Sequence, residues 1–380
     1  MKPLTEKLSL WQTIVLIYIF EAGSAIVIGV GGDAKQDAWI AIFIATLIGV
    51  GIILFFSYLL SKLPGKNLFE IFEICFGKWI GKAITILYIV YFFYIAARVI
   101  RDFGELTVSA ILTHTPIEFL IIVMMIVIIY IVYLGIEVLG RTAEVFIPYL
   151  LFFVLFISVS IVFTGEFSFD RIKPILPEGV GPIIKAIFPQ LITFPFGELI
   201  VFMLLLPYVT KQKEARWASA IGVAIGGFVL VLSTFTEIAT LGPVIRERSN
   251  FPLLSAAREI SLLNFIERVD LVIVFIVMFA IVVKVSIFFY GGLKGLEVVF
   301  NKPYRVFALP MGMIVAYFSI VISASYTEHI EEGLKFVPFY LHLPMQFGIP
   351  LLLLPFVIWH SKKGKRPVDK QDTKKESTST

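Results

Sequence analysis

The chain has 380 residues, of which 58% are hydrophobic and 16% charged, and its mean hydropathy is +0.93. This apolar content exceeds the roughly 45–50% of soluble domains, so the composition indicates a polytopic membrane protein and excludes a soluble one. The net charge of +4 does not indicate nucleic-acid binding, because the basic residues lie mostly in loops between apolar segments and in one tail.

Redox, metal and catalytic motifs are not evident in the sequence. Cys75 is the single cysteine, which rules out an intramolecular disulfide, and the four histidines have no metal-ligand spacing. No recognisable motif brings together a nucleophile, a base and an orienting group. We therefore expect neither an enzyme nor a cofactor or metal site.

Ten apolar segments are long enough to cross a hydrocarbon core about 30 Å thick. An even number of spans places both termini on one side of the membrane. We expect a single ten-helix transmembrane domain over residues 1–360, with halves at about 10–164 and 183–359. The expected spans, in chain order, are 10–30, 38–61, 83–104, 117–135, 144–164, 183–208, 217–241, 269–290, 305–324 and 338–359.

Four connections between and after the spans have distinct sequence patterns. Residues 61–82 have a Pro-Gly turn followed by apolar residues at helical spacing, which predicts an amphipathic helix on the inner surface. The outer loop after the seventh span predicts a short helix at about 252–265. The proline- and glycine-rich segment 165–182 is expected to be irregular, and the polar tail 361–380 to be disordered.

The distribution of basic residues predicts the orientation. If the N-terminus is inside, 20 of the 32 Lys and Arg residues lie in inner segments and 11 in outer loops, and Lys284 lies within a span. Because cytoplasmic loops carry an excess of Lys and Arg, both termini are predicted to be cytoplasmic.

Two spans contain residues that weaken a helix at mid-membrane. The first contains "FEAGSAIVIGVGGDAKQDAW" (20–39), with Glu21 and four glycines, and the sixth has Gly197 and Glu198 directly after Phe194-Pro195-Phe196. Proline removes an amide donor and glycine relaxes the backbone, so the sixth helix is expected to break around 194–198.

Breaks in spans one and six of ten are typical of a five-plus-five inverted repeat with a binding site at mid-membrane. Backbone freed from helical bonding there is tolerated where it lines a cavity or meets a ligand. Half-helix N-termini would offer amide donors to an anionic group, and freed carbonyls would face a cation. The alternative is that these glycines only permit close packing of helices.

Three segments carry a resemblance to a known family: "GSAIVIGVGGDAKQDAWIA" (23–41), "LPGKNLFEIFEICFGKWIGK" (63–82) and "FPFGELIVFMLLLPYV" (194–209). They resemble the B-subunit family of spore nutrient-germinant receptors, the spore germination permeases. This family belongs to the amino acid, polyamine and organocation transporter superfamily. The similarity covers residues 5 to 360, and the segment AKQDAW is its most specific element.

The resemblance implies an all-α, ten-helix LeuT-like fold in the inner membrane of dormant spores. It also implies a complex with a larger A subunit and a lipoprotein C subunit. A small nutrient such as an amino acid would occupy a transporter-type pocket and trigger germination.

The candidate ligand-binding residues lie beside the two breaks and on the third span, whose helix lines the pocket in this fold. Tyr91 and Tyr94 could close over a ligand; packing is the alternative for both. The full set of ligand-binding candidates is Gly23, Ser24, Ala25, Tyr94, Phe194, Phe196, Gly197 and Glu198.

Charged residues inside the spans are further candidates, because a charge at mid-bilayer costs about 2.5–3.5 kcal/mol and so requires a partner or a role. Glu198 could pair with an ammonium or carry a proton; alternatively it caps freed amides. Lys284 could stand where a coupling sodium binds in related transporters, or form a structural salt bridge. Glu21 is a second candidate for an ion site or charge relay. Glu237 also qualifies, and for Arg98 an outer-surface ion pair is favoured.

Three functional classes remain open from the sequence. The first is a ligand-sensing membrane subunit of a germinant receptor. The second is a proton- or sodium-coupled amino-acid transporter, and the third is an ion channel or a structural partner subunit. Fold alone does not separate a sensor from a transporter, since one scaffold hosts both.

Overall fold

The structure is a computed structural model that describes residues 6–163, 165, 167–259 and 269–363. This part of the chain is helical apart from loops and one isolated β-bridge between Leu8 and Val209. The α-helices are α1 (Leu10–Ala22), α2 (Ala25–Ile28), α3 (Ala38–Lys62), α4 (Leu68–Ala110), α5 (Ile117–Leu134), α6 (Ile136–Phe163), α7 (Gly181–Ala186), α8 (Gln212–Arg248), α9 (Pro252–Arg258), α10 (Val269–Phe300), α11 (Arg305–Val321), α12 (Tyr326–Glu331) and α13 (Ile349–Lys363).

Shorter 3-10 and π segments complete several spans. They are the 3-10 segments Gly32–Asp37, Phe169–Ile172, Phe196–Leu204 and Leu206–Tyr208, and the π segments Ile187–Leu191, Glu332–Phe336 and Pro338–Gly348.

The number of spans agrees with the ten expected from the sequence. Within the described residues, nine helical stretches are long and apolar enough to cross a membrane. The tenth consists of α11 and the stretch Tyr326–Phe336, which are bent by 108° at a short break. The predicted all-helical fold with ten spans is therefore confirmed, with a sharp bend before the last span that the sequence did not predict.

The first span breaks where the glycines predict. α1 begins with a capping box, in which the Ser9 side chain and Gln12 each accept the other's backbone amide, and it ends at Ala22. Gly23 then adopts φ 18° and ψ −126°, outside the helical region, and α2 resumes for four residues.

The sixth span also breaks at the predicted place. α7 continues into the π segment Ile187–Leu191, the chain turns at Phe194 and Pro195, and a 3-10 helix runs over Phe196–Leu204. The amide of Glu198 bonds to the carbonyl of Pro195, so the carboxylate of Glu198 sits in the first turn after the break. Spans one and six are thus the two interrupted helices of an inverted repeat.

The helix predicted after Pro64-Gly65 is present and leads directly into the third span. Asn67 caps α4, accepting from the amides of Phe69 and Glu70. Gly77, at φ 80° and ψ 167°, then kinks the helix and separates its first turns from the membrane-spanning part. A left-handed φ of this kind is a position that favours glycine.

The remaining sequence expectations are met in part. α9 covers residues 252–258 of the helix predicted at 252–265, whereas residues 260–268 lie outside the described residues. The segment 165–182 contains one 3-10 turn in its described part. α13 continues to Lys363 and so includes the first three residues of the tail expected to be disordered; residues 364–380 lie outside the described part.

Contacts at one end of the bundle link the N-terminus to the loops that precede spans seven and nine. The amide of Leu8 bonds to the carbonyl of Tyr208, and the amide of Thr210 bonds to the carbonyl of Leu8. Glu6 accepts from the hydroxyls of Tyr290 and Tyr304, at 3.0 and 2.8 Å. The segments before spans seven and nine follow six and eight spans, so they lie at the same end of the bundle as the start of α1.

Candidate functional site

Three charged side chains from three spans form a buried cluster beside the two breaks. Lys284 of α10 places its Nζ 2.6 Å from Oε2 of Glu198, and the two side chains are 0% and 2% exposed. The atoms are at ion-pair distance, although their angles do not meet hydrogen-bond geometry. The charges of both residues also act on the carboxyl of Glu21, which is fully buried. We call Glu21, Glu198 and Lys284 the charge cluster.

The stem of Lys284 passes through the break in the first span. A Cβ placed on Gly23 would lie 2.7 Å from Cδ of Lys284 and 2.8 Å from the carbonyl oxygen of Phe20. The absence of a side chain at Gly23 therefore makes room for the lysine. The ammonium also lies over two aromatic rings, 5.0 Å from the centroid of Phe20 and 4.7 Å from that of Phe194. Such cation–π contacts stabilise a charge that is out of water.

Glu21 and Ser24 carry buried polar atoms with neither a hydrogen bond nor an ion pair among the described residues. Both carboxylate oxygens of Glu21 and the hydroxyl of Ser24 are buried without a hydrogen-bond partner in the described part of the chain. Buried polar groups without partners cost free energy, so each of these atoms calls for an explanation such as a bound water, proton or ligand.

A small cavity lies between the broken helices and spans three and ten. Its volume is about 50 Å³. One water needs about 10–15 Å³ on this measure, so the cavity holds a few waters and is too small for an amino acid in this conformation. Its walls carry both signs of charge together with apolar groups. The lining residues are Ile28, Ile95, Arg98, Val99, Asp102, Phe194, Glu198, His329, Ile330, Gly333, Leu334 and His342.

One wall of this cavity is an ion-pair network between span three and the bent stretch Tyr326–Phe336. Arg98 pairs with Glu332 at 3.0 Å, donates to the hydroxyl of Tyr94 at 3.2 Å, and donates to the carbonyl of His329. Nε2 of His329 lies 3.0 Å from Oδ1 of Asp102. We call the Arg98–Glu332 pair the outer latch, because it joins α4 to the bent segment that precedes the last span.

His342, which lines the cavity, belongs to a second hydrogen-bond network beside it. The hydroxyl of Tyr91 lies 2.8 Å from Nδ1 of His342 and accepts from Nε2 of Gln346 at 2.8 Å. The hydroxyl of Tyr88 donates to the carbonyl of Met345 at 2.5 Å. The Oε1 atom of Gln346 is buried without a partner among the described residues and lies against Gly197.

The sequence-predicted residues divide into three groups. Phe194 and Glu198 line the cavity, and Tyr94 supports it through Arg98. The second group is buried beside the cavity without lining it: Gly23, Ser24, Ala25, Glu21 and Lys284.

The third group consists of Phe196 and Gly197, which pack against other helices. The ring of Phe196 lies against Gly49 of α3, and Gly197 accommodates the side chain of Gln346. The glycine positions thus have the packing role that the sequence left open, and whether they also meet a ligand stays a prediction.

Several lining residues were not predicted to be site residues. Asp102 and His329 line the cavity and pair with each other, yet they are 227 positions apart in the sequence. No local motif could reveal that pairing. Arg98 was expected in an outer-surface ion pair of its own helix, but its partner is Glu332 in another part of the chain and its side chain is 10% exposed.

Glu237, a further intramembrane charge, has a structural partner. Its carboxylate accepts from Nε of Arg246 at 2.9 Å and from Ser233 at 3.0 Å. Arg246 also donates to the carbonyl of Val30 at 3.1 Å. This pair joins the end of the seventh span to the end of the first, outside the cavity.

Taken together, ten spans with the first and sixth interrupted, and a charged cavity between those breaks, define a multi-pass membrane protein of transporter architecture. The chain belongs to the family described as Spore germination protein, whose sequence profile matches residues 7–327. Neither this family nor the solved structures that share the fold belong to an enzyme class.

Curated relatives cover nearly the whole chain. Spore germination protein KB of Bacillus subtilis (strain 168) is 33% identical over 361 residues, 95% of this chain and 97% of its own. Spore germination protein A2 of the same organism is 27% identical and aligns over 80% of this chain and 85% of its own. Spore germination protein XB of Bacillus anthracis is 23% identical, over 87% of this chain and 91% of its own.

Solved transporter structures share the fold. The crystal structure of MhsT in complex with L-phenylalanine superposes with a TM-score of 0.67, over 94% of this chain and 92% of the other, at 13% identity. The nucleobase-cation-symport-1 family transporter Mhp1, closed around bromovinylhydantoin, gives a TM-score of 0.65 over 94% of both chains, also at 13% identity. At this identity the likeness establishes the LeuT-like fold alone.

Proposed function

We propose that the protein is the membrane subunit of a spore nutrient-germinant receptor, which binds a small nutrient such as an amino acid and triggers germination. The observation that carries the proposal is the position of Glu198. It stands in the first turn after the break of the sixth span, lines the central cavity, and is paired with Lys284. A ligand that reaches Glu198 therefore acts on a contact between two spans.

The composition of the cavity favours a small zwitterion. Arg98 can pair with a carboxylate, Glu198 and Asp102 can pair with an ammonium, and Phe194 and Leu334 offer an apolar surface. Because the cavity of about 50 Å³ is too small for such a ligand, binding requires the outer latch to open and the bent stretch Tyr326–Phe336 to move away from α4. A ligand that prefers the wider state shifts the population toward it.

We further propose that Lys284 makes sodium unnecessary for binding. Its ammonium is a fixed positive charge beside Glu198, between the broken spans and α10. The family resemblance implies that a coupling sodium binds in this region of related transporters. A receptor needs only a ligand-dependent shift between two conformations that its partners can read, and no ion gradient.

The family resemblance supports a proposal for the setting of the receptor. We propose that the chain lies in the inner membrane of the spore with both termini in the cytoplasm, and that it assembles with an A subunit and a lipoprotein C subunit. The curated relatives that cover the chain are named as spore germination proteins, which supports a role in germination.

The second candidate is a proton- or sodium-coupled amino-acid transporter. It is favoured by the likeness to MhsT, solved with L-phenylalanine, and by the unpartnered carboxylate of Glu21, which could carry a proton. A coupled transporter must exchange both substrate and ion across the membrane, so its uptake responds to an ion gradient.

Two experiments test the proposal. Deleting the gene and screening spores against single nutrients identifies the nutrient whose response is lost. Liposomes containing the isolated subunit are then given that nutrient under a proton or a sodium gradient. Little gradient-driven uptake is expected; robust concentrative uptake would reject the sensor and support the transporter. Unchanged germination on every nutrient would reject the receptor role itself.

A further inference from the structure

A second cavity, far larger than the central one, opens where the second span ends and the seventh begins. Its volume is about 540 Å³, within the roughly 300–1,000 Å³ of ordinary ligand sites. It is walled by the turn that follows α3 and by the turn between the sixth span and α8. We call it the basic cavity; its lining residues are Ser57, Leu60, Ser61, Pro64, Gly65, Lys66, Leu206, Pro207, Gln212, Lys213, Ala215 and Arg216.

The lining carries three positive side chains, and a carboxylate pairs with only one of them among the described residues. Lys66 pairs with Glu70 at 2.9 Å. Within the described residues, by contrast, Lys213 and Arg216 form no ion pair with a carboxylate, and no Asp or Glu lines the cavity. Two free cations facing one cavity favour an anion there.

The polar lining also includes a free hydroxyl. The Oγ atom of Ser57 is buried and has no hydrogen-bond partner in the described part of the chain. The hydroxyl of Ser61 is exposed and donates its proton to the carbonyl of Tyr58 at 2.7 Å, so it has no donor left for an anion. The unpartnered hydroxyl of Ser57 beside two cations suits an oxyanion, which accepts several hydrogen bonds at once.

The position of the cavity along the spans corresponds to the headgroup level of a bilayer. Arg216 lies over the ring of Trp217 at 5.2 Å, and Lys62 lies over the ring of Tyr58 at 4.3 Å. Both rings are exposed, at 56% and 43%. Exposed Trp and Tyr residues at the ends of spans are enriched at the membrane–water interface. Leu60 and Leu206 add an apolar side to the cavity.

We propose that the basic cavity binds a phosphate group, held by Lys213, Arg216 and Ser57. The headgroup of an anionic phospholipid supplies this phosphate at the right depth, and a soluble phosphate has the same chemistry. Basic pockets between spans are known sites for acidic headgroups. The occupant would connect the end of α3 with the loop that follows the broken sixth span, and this site is independent of the central cavity.

Native mass spectrometry of the full chain in detergent tests the proposal, with phosphatidylglycerol and phosphatidylcholine as probes and inorganic phosphate as competitor. The cavity variant is the double substitution Lys213→Gln and Arg216→Gln. The matched control removes two exposed charges outside the basic cavity, by Lys78→Gln and Lys302→Gln. All four positions are exposed, so each variant is expected to purify in the same amount as the original protein.

The affinity for phosphatidylglycerol is expected to fall about thirtyfold in the cavity variant, because two cations near the membrane surface are removed. It should stay unchanged in the control. Displacement by inorganic phosphate would confirm that the phosphate is the recognised group. Binding of phosphate without a preference for phosphatidylglycerol over phosphatidylcholine would identify a soluble phosphate as the source. Equal affinities in the cavity variant and the original protein would overturn the proposal, as would binding of neither probe or displacement only by an acidic peptide such as tetraglutamate.

Discussion

The ammonium of Lys284 lies 2.6 Å from the carboxylate of Glu198, and this pair links α10 to the first turn after the break of the sixth span. The stem of the same lysine crosses the break of the first span at Gly23. One side chain thus contacts both interrupted helices, so movement of either one relative to α10 disturbs a buried ion pair.

The first prediction concerns the stability of that pair. Lys284→Met leaves Glu198 buried without a partner, which is expected to destabilise the protein by about 3–5 kcal/mol. The double variant Lys284→Met with Glu198→Gln removes both charges and is expected to recover most of the loss. Thermal denaturation of the purified variants measures the coupling. Additive losses in the double variant would show that the two residues do not act as a pair.

The second prediction concerns the glycines at the breaks. Gly23→Leu and Gly197→Leu are expected to abolish the nutrient response of spores while the protein remains in the membrane, because the new side chain displaces Lys284 or Gln346 beside the cavity. Gly51→Leu is the matched control, since a Cβ there meets nothing within 4 Å, and it should respond normally.

Germination assays measure the nutrient response of these glycine variants. Immunoblots of spore membranes measure how much of the protein remains. Loss of the protein itself from Gly23→Leu and Gly197→Leu spores would support a packing role. Unchanged nutrient sensitivity in both variants would remove these glycines from the site.

The third prediction concerns the outer latch. Glu332→Gln weakens its pairing with Arg98, so the central cavity should open more often. In a Cys75→Ser background, a cysteine replacing Ile95 in the cavity wall is then expected to react several times faster with a thiol reagent. Glu331→Gln is the control, because Glu331 pairs with Lys335 at the exposed surface. Equal labelling rates in the two variants would show that the pair does not close the cavity.

The fourth prediction concerns orientation and rests on the excess of Lys and Arg in the segments assigned to the inside. A cysteine replacing Lys66, whose side chain is 47% exposed, should be protected from an impermeant reagent added outside. A reporter that is active only outside the cytoplasm should be inactive when fused after residue 365. Reaction of the cysteine from outside, or activity of the reporter, would invert the orientation.

The spans and the two breaks could be predicted because their signals are local. A run of about 20 apolar residues identifies a span, and the Gly23-Ser24 and Phe194-Pro195 pairs interrupt helical bonding within a few residues. The charge of Lys284 inside a span also predicts a partner nearby. All of these inferences use neighbouring positions in the sequence.

The cavity wall was harder to predict because it is assembled from distant parts of the chain. Two contacts depend on the sharp bend between α11 and the stretch Tyr326–Phe336. They are the contacts of Arg98 with Glu332 and of Asp102 with His329. That bend follows no proline or glycine motif, since residues 322–325 read Ile-Ser-Ala-Ser. Tertiary packing rather than local sequence sets the angle of the bend. The sequence therefore contains no local signal that places His329 beside Asp102.

The most direct test of the account is nutrient binding by the receptor purified with its partner subunits in sodium-free buffer. The probe is the nutrient identified by the spore screen, and equilibrium binding is compared between the original protein, Glu198→Gln, and the surface control Glu214→Gln. We expect binding that is independent of sodium. Glu198→Gln should weaken it about tenfold or more, the effect of losing one charged contact, and the control should leave it unchanged. Binding that requires sodium, or that is equally tight in the Glu198→Gln receptor, would contradict this expectation.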